Sequence, residues 1–349
     1  MFITVLITLI KLLFIILGVI WVMIAVSLIY RKRRTRHLQK IETAFAGITA
    51  KYLYPLPHEP FNLIESNRKF KNLGIVPGKP RNVQYLIDLM IRTQRSLLGK
   101  NYQKLELLYQ QIPPYRVSIN KLRSKKWFVK ARGIREIYEM DQKQYINEAT
   151  KERNHENIYV RREAQIAMVV FLGWKSLRFL PYLEREMTLW QQIKVVEKLH
   201  DLYPVAHLKY LRKGYDSDKP YANELLMRII RKFELNDEVD YIIRFIDSVK
   251  FDTRETAIYC ISSFQLNDQQ LTLLKDKFLN IPNSEQQIQL LKYIDRISYE
   301  VDMQFFKLLL YTGNDLIKLC TAEILWKHGY MEEVQEFYYQ QYEAHPQPA

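Results

Sequence analysis

Apolar residues recur along this chain in blocks of 31 residues, and the clearest copy is Asn157–Phe171, NIYVRREAQIAMVVF. Setting its small residue Ala164 in a column with Gly133, Val195, Leu226, Ala257, Leu290 and Thr321 leaves intervals of 31, 31, 31, 31, 33 and 31. Four residues on stand Ile137, Met168, Leu199, Ile230, Ile261, Ile294 and Leu325; seven on stand Met140, Phe171, Leu202, Phe233, Phe264, Ile297 and His328. These three positions share one side of a helix, so each copy carries an apolar stripe that something must cover. A period this regular marks stacked helical units, each packing on its neighbours. The core expected from this pattern is Ala164, Met168, Phe171, Leu199, Leu202, Ile230, Phe233, Ala257, Ile261, Phe264, Ile294 and Leu325.

Each copy predicts a helix A, a short turn and a helix B. The B helices are expected to begin near Trp127, Ile158, Leu189, Pro220, Asp252, Glu285 and Asp315. Pro220 suits a first helical turn, and Asp252 and Asp315 suit N-caps. The A helices are expected at Leu177–Glu186, Val205–Arg212, Asp237–Val249, Gln269–Leu279 and Asp302–Tyr311. The two extra residues before Leu290 fall in the loop Ile281-Pro282-Asn283, where an insertion costs little. A last helix, Glu332–Tyr342, closes an array spanning 127–343, and the tail 344–349 is expected to fray. Upstream, Asn82–Leu98 and Gln103–Ile112 read as a helical pair out of phase with the column, interrupted by Pro113-Pro114. We read 82–126 as an atypical terminal cap.

The N-terminal pattern is different in kind. Residues 2–30 form one apolar run with a single charge, Lys11, long enough to cross a hydrocarbon layer of about 30 Å. Arg31, Lys32, Arg33, Arg34 and Arg36 follow at once. By the positive-inside rule they hold the chain from 31 on in the cytosol, with a short N-terminus outside. The rival is a cleaved signal peptide ending near Ala25-Val26-Ser27, but such signals carry their positive charge before the apolar run. Residues 31–52 predict a basic juxtamembrane helix leading away from the bilayer. Five prolines within 55–80 make 53–81 an irregular connector between anchor and array. Leu53, Leu56, Phe61 and Phe70 leave open whether it packs along the first repeat or swings free.

Composition fits this picture: 48% hydrophobic residues and only 10 glycines suit helices and exclude disorder. Cys260 and Cys320 stand two repeats apart, beyond the roughly 7 Å Cα separation a disulfide tolerates, so both read as buried, reduced thiols. The net charge of +14 is uneven: residues 68–153 hold 20 basic and 7 acidic residues, and 154–349 hold 24 and 28. Arg116, Lys121, Arg123, Lys125, Lys126, Lys130, Arg132 and Arg135 crowd around Tyr115, Trp127 and Phe128. Three readings compete for this basic patch: a solvated helix face with Trp127 and Phe128 in the core, contact with anionic lipid headgroups, or nucleic acid.

No constellation for chemistry emerges. GxxxxGK[ST], GxGxxG after a strand, HExxH, GxSxG and paired CxxC are all missing. His200 and His207 are split by Pro204 and cannot form a metal pair on one helix. The acidic groups Glu184/Glu186, Asp237/Glu238/Asp240 and Glu332/Glu333/Glu336 sit where they favour helix ends or solvate a face. The expectation is no catalytic residue, no cofactor and no metal.

The copies resemble the short bacterial HEAT repeats of the PBS-lyase-like kind, whose second helix follows Asp-x-x-Val-Arg-x-x-Ala. Asn157, Val160, Arg161, Ala164 and Ala167 match; Asp252, Arg254 and Ala257 match in part; Asp315, Ile317, Lys318 and Ala322 match with a one-residue slip. The copies at Val195, Leu226 and Leu290 carry Gln192, Asn223 and Gln287 in place of the Arg, so no continuous Arg ladder runs through them. The likeness covers about 120–330. It implies an all-α, right-handed α-solenoid (armadillo-like) of about seven antiparallel helix pairs, here behind one transmembrane helix. It also implies a non-catalytic scaffold, with B helices lining the concave side and a protein partner held at the inner membrane. The alternative is nucleic-acid binding through 115–135.

Overall fold

The computed structural model describes residues 2–344 apart from 59, 98 and 299–301, so the expected fraying of 345–349 lies outside the described residues. Among the described residues the chain is all-α, with eighteen α-helices that pack pairwise and no strand. It divides into two compact units, Met1–Ala167 and Met168–Ala349.

Unit 1 contains α1 (Phe2–Leu53), α2 (Leu63–Asn72), α3 (Pro80–Ser96), α4 (Lys100–Gln111), α5 (Pro113–Leu122), α6 (Trp127–Glu139), α7 (Ile146–Lys151) and the first part of α8 (Ile158–Leu172). α1 is one unbroken helix with two environments. From Leu12 to Tyr30 its described large apolar side chains are exposed, and it is long and apolar enough to cross a membrane. Past Lys40 it turns into a core helix: Ile41, Phe45 and Ile48, spaced to share one face, are buried against Phe70, Val83, Leu86, Met90 and Leu105. The expectation that 31–52 merely carries a tether away from the bilayer is therefore corrected. From Ile41 on, this stretch is part of the core of unit 1. The connector is corrected likewise. Asn62 accepts from the backbone N–H groups of Ile64 and Glu65 and starts α2, and Gly74, at φ +71°, ends it. That closure brings Phe70 and Ile75 into the same core.

Unit 2 holds the rest of α8, then α9 (Leu189–Leu202), α10 (Leu208–Arg212), α11 (Pro220–Lys232), α12 (Val239–Ile243), α13 (Phe251–Ile261), α14 (Asp268–Phe278), α15 (Ser284–Ile297), α16 (Met303–Thr312), α17 (Asp315–Lys327) and α18 (Met331–Ala344). The B helices α9, α11, α13, α15 and α17 pack in succession, each on the next. Two of the five A helices, α14 and α16, match the expected Gln269–Leu279 and Asp302–Tyr311 to within a residue, and the other three depart from expectation. Where Leu177–Glu186 was expected as an α-helix, a 3₁₀ helix runs over Gly173–Tyr182. Trp174, Leu177, Leu180 and Leu183 are spaced by three, the 3₁₀ period, and all four are buried; Pro181 cannot supply an α-helical N–H. Only Leu208–Arg212 and Val239–Ile243 are α-helical in the next two, and Val205 and Val249 are exposed.

Every residue of the first column and of the column four on is buried. Seven on, the pattern weakens: Met140, Phe171 and Phe264 are buried and Phe233 is half-buried, but Leu202 is exposed. Leu202 was expected in the core; it is the last residue of α9, where the chain turns off through Tyr203 and Pro204, so no later turn covers it. Three B helices end alike. Asp141, Glu234 and Gly329 each lie eight residues past the column with positive φ (49°, 53° and 87°). The next N–H in each copy returns to the carbonyl of Ile137, Ile230 or Leu325.

Candidate interaction surfaces

The basic patch separates into two sets. Lys121 is an interior residue: its Nζ donates to the buried Glu136 carboxylate at 2.7 Å and to Gln84 Oε1 at 2.5 Å. The Tyr109 hydroxyl donates to Ser118 Oγ, which donates to Glu136 Oε2, at 2.6 and 2.5 Å. This network locks α5 on α6, which approach so closely that a Cβ at Gly133 would meet the Leu122 backbone nitrogen at 2.2 Å. Arg123 is held by Glu148 and Lys130 by Glu152, at 2.9 and 2.6 Å. The hydrogen bond and charge of Arg123 lower the Glu148 pKa below the ordinary glutamate value. Arg116, Lys125, Lys126, Arg132 and Arg135 remain exposed. Of the three readings of the patch, the one that puts Trp127 and Phe128 in the core does not hold: both are exposed, Trp127 stacked on Tyr159 at 5.4 Å and edge-on to Phe128 at 5.7 Å. They open α6 at the turn from α5.

Of the bases that follow the apolar run, Arg31, Lys32, Arg33 and Arg36 are exposed. Arg34 is half-buried and donates to Asn82 Oδ1 at 2.6 Å.

The second surface, absent from the sequence expectations, is a groove of about 1490 Å³ across α9, α11, α13 and α15 in unit 2. Its walls hold fixed cations. Arg228 donates to Gln192 Oε1 at 3.0 Å and to Thr256 Oγ1 at 2.9 Å. Arg231 lies 3.9 Å from the centroid of the exposed Tyr259 ring and donates to Ser263 Oγ at 2.7 Å. Glu197, Glu255, Ile193 and Val196 line the same walls. Such a lining, apolar with alternating charge and side chains already immobilised, suits a polypeptide segment. A signal for it existed: two residues past the column stand Glu197, Arg228 and Tyr259, a polar or aromatic position beside an apolar stripe.

The polar position three before the column, arginine in some copies and glutamine in others, meets the preceding segment. Arg161 donates to the His155 carbonyl at 2.8 Å and Arg254 to the Ser248 carbonyl at 2.6 Å, each six residues back. Gln192 and Gln287 donate to Met187 and Phe278 carbonyls, at 3.3 and 3.4 Å. Glutamine thus satisfies the preceding loop where arginine is missing. Among the described residues no three His, Cys, Asp or Glu side chains stand together as a metal site. Burial pushes the Cys260 thiol up to about 12, and that of Cys320 up as well, which leaves both inert. No protein-family model matches the chain, and no curated protein matches it.

Proposed function

We propose that this is a single-pass membrane protein whose helix pairs are HEAT-like repeats of a right-handed solenoid, a non-catalytic scaffold that holds a protein partner at the cytosolic face of a bacterial inner membrane. The observation that carries the partner reading is the groove across four successive B helices, with Arg228, Arg231 and Tyr259 fixed in its walls. The anchor reading rests on the bare apolar half of α1 followed by Arg31, Lys32, Arg33 and Arg36, which face anionic headgroups in this arrangement and keep 31–349 cytosolic. The recurring column, the repeated helix endings and the Arg161 and Arg254 contacts support the repeat assignment.

The test is a pull-down of the tagged full chain from detergent-solubilised membranes, wild type beside an Arg231→Glu/Tyr259→Ala variant. A near-stoichiometric partner kept by the wild type and lost by the variant is expected. Recovery of the same partner by both removes the groove from the proposal; no stoichiometric partner with either removes the scaffold reading.

A further inference from the structure

Resting on the anchor reading above, we infer that the turn between α5 and α6, with Trp127 and Phe128 at its tip and Tyr159 beside them, is a second membrane contact that docks on an anionic lipid surface.

The directions of the helices carry this. α1 and α3 run the same way: Arg34 and His37 meet Asn82 at one end, at 2.6 and 3.1 Å. At the other end Asn101, past the end of α3, donates to the Tyr54 hydroxyl at 2.9 Å, and Lys104 donates to the Leu53 carbonyl at 3.0 Å. Asn82 is thus level with residues 34–37, which at about 1.5 Å per residue lie roughly 6–10 Å beyond Tyr30, where the apolar run ends. α6 follows α3. Glu136 accepts from Gln84 at 2.9 Å, and Glu139 accepts from Arg95 at 2.5 Å. Were α6 to run against α3, Glu139 would lie about 20 Å from Arg95, beyond the combined reach of the two side chains. α6 therefore points away from the bilayer, and its first residue lies on the order of 10 Å nearer the apolar run than Glu136 does. That returns Trp127 to the level of Tyr30, within the headgroup zone that flanks the hydrocarbon layer.

The chemistry of the tip fits that level. Trp127, Phe128 and Tyr159 are 45%, 57% and 49% exposed, and Ile158 beside them is exposed too. Tryptophan and tyrosine, with an apolar ring and one polar atom, partition to the headgroup region. Lys125 and Lys126 precede the aromatic pair and are exposed, as anionic headgroups require. Gly133 and the Lys121–Glu136 network hold the hairpin rigid, so docking orders nothing further. Two contacts, one spanning and one interfacial, would fix the orientation of unit 1 on the bilayer where a lone helix leaves it free to rotate.

The test uses the full chain in lipid nanodiscs with a nitroxide at Phe128→Cys, and separately at Ile20→Cys in the apolar run. Both native thiols are buried and escape labelling. Oxygen relaxes a label in lipid and a nickel chelate relaxes one in water. In discs containing phosphatidylglycerol the label at 128 is expected to be open to oxygen and closed to nickel, and in pure phosphatidylcholine open to nickel. Lys126→Ala is expected to lower the docked-to-undocked ratio about five-fold, the effect of one base near an anionic surface. A label at 128 open to nickel in both discs, with the label at 20 in lipid, overturns the docking and leaves the anchor standing. A label at 20 open to nickel overturns both. Shielding of 128 by duplex DNA in discs where lipid gives none assigns the hairpin to nucleic acid and overturns the inference.

Discussion

In unit 2 the stripe of α11, Leu226 and Ile230, is buried between α9 and α13, helices cut from the same 31-residue pattern. In unit 1 the stripe of α3, Val83, Leu86 and Met90, is buried instead against Ile41, Phe45 and Ile48 of α1, a helix whose other half is bare. One unit finds its cover in copies of itself; the other finds it in the continuation of the apolar run. The comparison gives α1 two tasks on one continuous rod, and ties the position of unit 1 to that of the run. The helix runs unbroken from Phe2 to Leu53, with no hinge between its bare and its buried part.

The strongest way to break this comparison is to empty the cover on each side. Ile41→Ala and Phe45→Ala each cost about 3 kcal/mol through lost burial and a residual cavity, and together exceed what a domain of ordinary stability can absorb. Hydrogen exchange on the full chain in detergent should show α3 and α4 exposed in the double variant. The matched pair Leu226→Ala and Ile230→Ala in α11 should expose α9 and α13 instead. Unchanged protection of α3 in the first variant would mean that α1 is no part of that core.

Next in size is a contrast within the column. Gly133→Ala puts a methyl into the backbone of α5 at 2.2 Å, which must separate two helices and costs about 3 kcal/mol. Ala257→Gly, at the same position of α13, loosens the chain and removes one buried methyl, and costs about 1.5 kcal/mol. Thermal unfolding by near-UV circular dichroism separates the two. A mild effect of the alanine would mean that the α5–α6 contact yields easily.

Much of this was legible before any coordinates. The B helices start at Trp127, Ile158, Leu189, Pro220 and Asp315, where apolar periodicity and turn residues agree, but the expected caps are corrected: Asn314, not Asp315, caps α17, and Asp252 lies inside α13, which has no side-chain cap. The A helices were harder to read: a spacing of three at Trp174, Leu177 and Leu180 is compatible with α or 3₁₀, and only the tertiary cover decides. Ile41, Phe45 and Ile48 already carried a helical stripe, yet its partners lay across the prolines of 55–80, and such pairing is invisible to local periodicity. The helix endings were hidden for another reason: Asp141 and Glu234 occupy a left-handed position where glycine is the usual sign. At the basic patch, charge was visible but pairing was not, so Lys121 looked like surface and Trp127 like core.

A smaller effect sharpens the contrast through acid. In unit 2, burial works against the Asp295 carboxylate, but hydrogen bonds from Lys327 and His328 outweigh it and hold its pKa below the usual value of about 3.9. Its stabilising share is present above that value and lost as pH falls through the depressed one. In unit 1, burial raises the pKa of Asp141, with Lys143 offsetting only part, and raises that of Glu106 as well. A raised carboxyl binds its proton more tightly folded than unfolded, so these two add stability as pH falls toward the acid range. Residue-resolved exchange should therefore show the α15–α17 contact weakening in acid, with Asp295→Asn abolishing that loss. Protection around Asp141 should rise, and Asp141→Asn should abolish the rise. The same slope in both places would refute the contrast.

The smallest expected effect asks whether the column of unit 2 wants anything beyond apolar volume. Thr321 occupies the position of Ala164 and Ala257, is fully buried, and its Oγ1 has no hydrogen-bond partner among the described residues. An unpaired buried hydroxyl costs free energy that a methyl group of the same shape does not. Thr321→Val should therefore raise stability by about 1 kcal/mol, seen as a higher denaturation midpoint at unchanged slope. Thr321→Ser keeps the hydroxyl and deletes the methyl, and should lower the midpoint by a similar amount. If valine destabilises, the hydroxyl has a use in the helix that α15 presents to it, and the stripe is more than a repeated apolar face.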